Sequence, residues 1–246
     1  MLSRLANPAR FMRVSGVVLP WLGAATAGVL GLGLVWSLLV APPDYQQGES
    51  VRIMFVHVPS AWMALSVYLF VAVGSAVALV WRHPLAEIAA QEAAPIGAAF
   101  TLVCLATGSL WGRPMWGTYW VWDARLTSML ILFLMYLGVI ALWRTVEDPS
   151  RAARAAAVLT LVGAINLPII KFSVDWWSTL HQPASVIRLG APSIHQTMLL
   201  PLLMMVLVFI LLFITLHLAA TGNEILRRRV RTQLLMQAQA APGSKS

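Results

Sequence analysis

The chain has 246 residues, 59% of them hydrophobic and only 11% charged, where a soluble globular domain carries about 25% charged residues. That balance excludes a water-soluble domain and makes the chain an integral membrane protein, because its apolar residues come in long runs. The net charge of +8 does not imply nucleic acid, since the basic residues gather at the ends of the runs, where membrane topology accounts for them.

Residues 1–13 are basic, with Arg4, Arg10 and Arg13. The first apolar run, 15–40, exceeds the roughly 7–15 residues of a secretory signal core and reads as a retained span. Its small residues Ala24, Gly28, Gly31 and Gly33 allow close helix packing. A Pro42-Pro43 break and a polar stretch to Ser50 precede the second run, 54–81, which carries His57 and Pro59 in its first turn. Arg82-His83-Pro84 ends it, and Glu87 and Glu92 mark a short loop. The third run, 93–111, holds the single cysteine, Cys104, which has no partner for a disulfide and reads as a small core residue.

The fourth run, 126–143, is followed by a polar loop from Arg144 to Arg154. The fifth, 155–170, has Asn166 and Pro168 near its far end. A second aromatic and polar loop, Lys171 to His195, carries Trp176, Trp177, His181 and Arg188. The sixth run, 196–220, leads to a basic tail with Arg227, Arg228, Arg229 and Arg231. Each run approaches the ~20 residues that a helix needs to span the hydrocarbon. The expectation is an all-α membrane protein of six transmembrane helices, with residues 1–246 forming one transmembrane domain.

Six spans put both termini on one side. That side carries twelve Lys/Arg, and the other carries five, Arg52, Arg113, Arg125, Lys171 and Arg188. The positive-inside rule then places both termini in the cytoplasm (N-in/C-in) and His57, His181 and His195 outside.

Between spans three and four, on the outer side, lies Trp111-Gly-Arg-Pro-Met-Trp-Gly-Thr-Tyr-Trp-Val-Trp-Asp123. Two readings of its aromatics compete. One is an interfacial belt, because Trp and Tyr gather at headgroup depth. The other is a platform for a large planar ligand with a charged edge. The outer side also holds three histidines and four arginines. Imidazole suits iron, copper, nickel and zinc. Two imidazoles with tryptophan faces and arginines suit haem better than a bare zinc ion, which has no use for six tryptophans. Each residue also has a plainer role: His57 snorkelling at a helix end, Asp123 capping the fourth span, Arg125 as its surface partner.

Trp116-Gly-Thr-Tyr-Trp-Val-Trp-Asp123 matches the pattern WGxxWxWD at every fixed position, and the chain resembles the WWD-domain, haem-handling membrane proteins of cytochrome c biogenesis. Within them, its length and spans are similar to the haem exporter C branch of the cytochrome c maturation system, over about residues 15–225. The resemblance implies haem b bound non-covalently and transiently at the periplasmic face of the bacterial inner membrane. By matching position, the implied axial ligands to the haem iron are His57 (in Phe-Val-His-Val-Pro-Ser) and His181 (in Ser-Thr-Leu-His-Gln-Pro), with His195 a lower-ranked competitor. The tryptophan-rich segment 111–127 supplies the platform, through Trp111, Trp116, Trp120, Trp122 and Asp123. Arg52, Arg125 and Arg188 are candidates for propionate or partner contacts.

The same resemblance implies the partners. Haem is presented to a periplasmic haem chaperone (CcmE) for covalent capture. An ABC ATPase and its membrane subunit (CcmA and CcmB) and a small one-span membrane protein (CcmD) work alongside, in membrane lipid and without nucleic acid. The chain has no GxxxxGK[ST] and cannot supply ATP hydrolysis. It is expected to transfer haem rather than to act as an enzyme. A haem lyase subunit is an alternative, but those proteins are longer. A bis-histidine redox cytochrome is another, but it would place histidine pairs inside its spans.

Overall fold

The computed structural model describes residues 7–240 apart from 178, 183, 184, 187 and 189. Arg4 and Lys245, counted above on the terminal side, lie outside the described residues. Helix α1 (Pro8–Val35) runs into a π-helical turn, Trp36–Val40. A 3₁₀ turn, Glu49–Ile53, leads into α2 (Met54–Trp81). Then come α3 (Pro84–Trp116), α4 (Ala124–Thr145), α5 (Pro149–Gly163), α6 (Asn166–Trp176) and α7 (Gln196–Ala240). Six helical stretches are long and apolar enough to cross a membrane, with α5 and α6 together making the fifth.

The helix starts follow from local chemistry. Side chains of Asn7, His83, Asp123 and Asp148 each accept a backbone N–H of the first turn, which satisfies donors that a helix leaves orphaned. Three of the four are followed by proline at the first helical position, where the missing N–H costs nothing. This capping corrects the expected loop at 82–92. His83 Nδ1 accepts from Ala86 N at 3.1 Å, so Glu87 and Glu92 lie within α3 rather than in a connection. Charge at a helix entrance is compatible with helix, and hydropathy marks only where the membrane begins. The expected loop at 144–154 likewise shrinks to a few residues before Pro149.

The fifth span is broken at Ala164–Ile165. Pro168 has no N–H to give the carbonyl of Ala164, four residues back. The Asn166 side chain instead donates to the Ser128 carbonyl of α4 at 2.8 Å. Helix α7 overshoots its expected end at 220. Its 45 residues extend about 67 Å at 1.5 Å per residue, roughly twice the hydrocarbon thickness.

The bundle closes around Tyr68, Tyr136, Phe55, Leu132, Leu202 and Met205, all fully buried. Tyr136 donates to the Ala64 carbonyl at 2.8 Å and packs edge-on against Tyr68. Thr26 and Thr215 join α1 to α7 at 2.9 Å. Such interhelical bonds contribute only about 0.6 kcal/mol on average in a membrane, so they fix register more than they stabilise. At the terminal end, Arg228 ties α7 to α3 through Glu87 (2.9 Å) and Gln91 (2.8 Å) and also bonds the buried Glu224 (2.8 Å).

Gly163 lets the fully buried Tyr68 hydroxyl, which has no hydrogen-bond partner among the described residues, sit against the helix break. A methyl group at Gly163 would meet that hydroxyl and come within 3.3 Å of Met135 Cγ. Gly163→Ala should destabilise the detergent-purified protein by about 1–3 kcal/mol, as overpacking does. Tyr68→Phe removes an unpartnered hydroxyl and should be close to neutral. Thermal unfolding of the double variant should show Gly163→Ala costing less when combined with Tyr68→Phe than when made alone.

Candidate functional site

The tryptophan-rich segment is half helix and half loop. Trp111 and Trp116 ride on the last turns of α3. Gly117 then takes a left-handed conformation (φ 76°) and donates its N–H to Arg113 O at 3.1 Å, an ending that favours glycine. The loop that follows is held back onto α3 by Ser109 Oγ, which donates to Tyr119 O at 2.9 Å. The Arg113 guanidinium bonds the Gly117 carbonyl and lies 5.6 Å from the Tyr119 ring centroid.

His57, in the first turn of α2, points its Nδ1 at α3. That nitrogen lies 3.1 Å from Cys104 O and 3.1 Å from Thr107 Oγ1. A carbonyl only accepts, so Nδ1 carries the proton and Nε2 keeps its lone pair. Trp111 stands edge-on to the ring at 5.7 Å, and its indole N–H donates to Gln47 Oε1 at 3.0 Å.

His181, in the loop between α6 and α7, has the same polarity by different means. Its Nδ1 lies 3.4 Å from Asp123 Oδ2, and a carboxylate also only accepts. The other oxygen of Asp123 accepts Leu126 N at 2.7 Å and caps α4. One aspartate therefore starts a helix and orients an imidazole. Trp116 stands edge-on to His181 at 4.9 Å. Burial pushes the His181 imidazole below its ordinary 6.5; Arg125 acts in the same direction and Asp123 opposes both. The shift favours the uncharged ring, and with the proton on Nδ1 its lone pair is on Nε2.

Arg125 donates to Ser173 Oγ at 3.2 Å and lies within electrostatic reach of His57 and His181, which are within reach of each other. Trp120 packs edge-on against Trp122 at 5.5 Å. The Trp120 indole N–H is buried with no partner among the described residues, whereas Trp122 is 77% exposed. Trp176 and Trp177, at the end of α6, are exposed as well.

The other candidate residues are engaged locally or exposed. Arg52 forms an ion pair with Glu49 at 2.6 Å and bonds the Leu38 carbonyl, so its charge is engaged locally. Arg188 is exposed in the 177–195 loop. His195 is exposed too; its Nδ1 accepts Thr197 N at 3.3 Å and its carbonyl accepts Met198 N and Leu199 N. It caps α7, and its free nitrogen is the N–H, the reverse of His57 and His181.

The sequence reading did not single out Gln47, Thr107, Gly108, Ser173 or Thr179, all of which position site residues. Cys104, Thr107, Gly108 and Trp111 have helical i, i+3, i+4, i+7 spacing, and that periodicity was the available signal. Among the described residues, no three His, Cys, Asp or Glu side chains converge as a bare-metal site would require. Two imidazoles whose Nδ1 protons are held by acceptors, each edge-on to a tryptophan, fit a planar metal complex held by two histidines. The residues therefore fit haem.

Fold and site define a six-span α-helical membrane protein with two oriented imidazoles, each edge-on to a tryptophan of one segment. The family model described as Heme exporter protein C matches residues 1–236. The Heme exporter protein C of Bradyrhizobium diazoefficiens is 68% identical over 95% of this chain and 89% of its own length. That of Escherichia coli K12 is 51% identical over 74% of each chain, and that of Paracoccus denitrificans 46% identical over 96% of this chain and 98% of its own. The chain belongs to the heme exporter protein C family.

Asp123 gives a clean test of its double role. Asp123→Asn keeps a capping side chain, so thermal stability should hold, whereas Asp123→Ala should lose about 1 kcal/mol. A histidine with a lowered folded-state pKa contributes stability that is complete above 6.5 and lost as pH falls through the folded value. Histidine-resolved NMR of the ligand-free protein should give His181 a midpoint below 6.5, lower still in Asp123→Asn, which removes the one opposing charge.

Proposed function

We propose that this chain binds haem b at the periplasmic face of the bacterial inner membrane and presents it to a periplasmic haem chaperone during c-type cytochrome maturation. His57 and His181 are the axial ligands. Trp111, Trp116, Trp120, Trp122 and Asp123 form the platform and its support. The observation that carries this reading is the matched state of the two imidazoles: each Nδ1 proton is held by a local acceptor, and each Nε2 is left as a lone pair. A histidine that ligates iron is typically fixed in this way by its other nitrogen.

The names of the relatives support haem as the cargo. The length match favours this branch over the longer lyases, since the chain covers 89% and 98% of two relatives. Both termini lie in the cytoplasm in this reading, which the excess of Lys/Arg at that end supports. Haem bound here supplies the iron that accepts the two imidazoles and the porphyrin edge that the chaperone captures. The chain's own residues do the rest. Asp123 and the α3 carbonyl hold the imidazole protons, Trp111 and Trp116 flank the two rings, and the Trp120 indole and Arg125 provide donors for the carboxylate edge. Trp122, Trp176 and Trp177 offer the exposed apolar face at which the chaperone docks. The ABC ATPase with its membrane subunit supplies the ATP-driven step, and the small one-span protein completes the complex. The chain transfers haem and is not itself an enzyme.

Co-expression with the chaperone tests this. Trp120→Ala and Trp122→Ala should reduce the haem co-purifying with this protein and the covalent haem recovered on the chaperone, with protein levels unchanged. Unaltered haem content and chaperone loading would return the tryptophans to an interfacial belt.

A further inference from the structure

One face of α3 is shaped around an imidazole from another helix. Cys104, Thr107, Gly108 and Trp111 follow one another at helical spacing, and each meets His57. The Thr107 hydroxyl proton is engaged by its own helix, at Val103 O (2.6 Å). Its oxygen is therefore an acceptor toward His57 Nδ1, and shares that proton with Cys104 O at the same 3.1 Å. Gly108 supplies the space. A Cβ there would stand 2.8 Å from His57 Cε1 and 3.3 Å from Nδ1, and the first distance is closer than real contacts allow. Trp111 closes the far side edge-on.

We infer that Thr107 and Gly108 are positioning residues for His57: Thr107 adds a second acceptor to the Nδ1 proton that the Cys104 carbonyl already holds and so tunes the ring's basicity, and Gly108 sets its depth. The inference rests on His57 being an axial ligand. Nothing else about Thr107 requires a hydroxyl at this site. Its bond to Val103 O is the usual back-bond of a helical threonine, and a valine would fill the same volume. The acceptors on Nδ1 govern how strongly Nε2 donates to iron. Removing one makes the imidazole a weaker donor, which favours the ferrous state.

The two ligands are thus held differently. His57 is clamped by neutral acceptors on a rigid helix, and His181 is oriented by a carboxylate from within a loop. The α3 cradle makes His57 the fixed point against which the haem is placed.

The test uses the full-length protein purified with its haem, as wild type, Thr107→Val, Thr107→Ser, Gly108→Ala and His57→Ala. Each variant is first checked for membrane level and a monodisperse detergent profile. Thr107→Val should retain haem about tenfold less tightly, the low end for loss of an outer-shell partner, and should raise the haem midpoint potential. Thr107→Ser should restore both. Gly108→Ala should displace the ring and lose the bis-imidazole absorption spectrum. The cradle is overturned if His57→Ala loses that spectrum while Thr107→Val keeps wild-type retention and potential. It is overturned equally if Thr107→Ser is as impaired as Thr107→Val. A spectrum indifferent to His57→Ala would instead overturn the ligand assignment beneath it. Should Thr107→Val not accumulate, Thr107→Ala read against Thr107→Ser gives the same comparison.

Discussion

Two imidazole protons, each given to a fixed acceptor, set the chemistry of the tryptophan end. A neutral histidine has one N–H and one lone pair, and which nitrogen holds which is decided by its neighbours. Here the Cys104 carbonyl decides it for His57, with the Thr107 hydroxyl as a second acceptor, and the Asp123 carboxylate decides it for His181. Both rings consequently offer Nε2. His195 shows the contrast: its Nδ1 is occupied as an acceptor at the start of α7, and its free nitrogen is a donor.

The helical frame serves that arrangement. α3 carries the first half of the tryptophan segment and also the acceptors for His57, so those tryptophans and the groups that orient the α2 imidazole share one rigid element. Asp123 starts α4 and orients His181 with its two oxygens, which couples the site to a helix end in the bundle. The 177–195 loop that brings His181 follows α6, the detached half of the fifth span. Asn166 pins that half to α4 through the Ser128 carbonyl. The Arg228, Glu87, Gln91 and Glu224 contacts lie at the opposite end and lock α7 to α3 there.

Much of this was legible in the residues. Six apolar runs appear as six spans, and Asp123 was readable as a helix cap because a short acceptor side chain stood just before an apolar run. The Trp-rich pattern marked the end of the bundle where Trp111 and Trp116 meet His57 and His181. What could not be read follows from physics that hydropathy does not register. The charges at Glu87 and Glu92 looked like a loop, yet helix continues through them because His83 and Pro84 start it early. The break at Ala164–Ile165 needed Pro168 to be seen as the loss of one specific hydrogen bond. Thr107 and Gly108 passed as ordinary span residues, since their role appears only when a second helix delivers His57 to that face. Arg52 and Arg188 were chosen for charge and side of the membrane. The structure engages Arg52 with Glu49 and leaves Arg188 exposed, because charge alone does not fix direction.

Paramagnetic resonance of the oxidised, haem-bound protein purified from membranes addresses the central claim most directly. Two imidazole ligands give a low-spin ferric signal, which should become high-spin in both His57→Ala and His181→Ala. A high-spin wild type, or a low-spin signal that survives both substitutions, would contradict the paired-imidazole site.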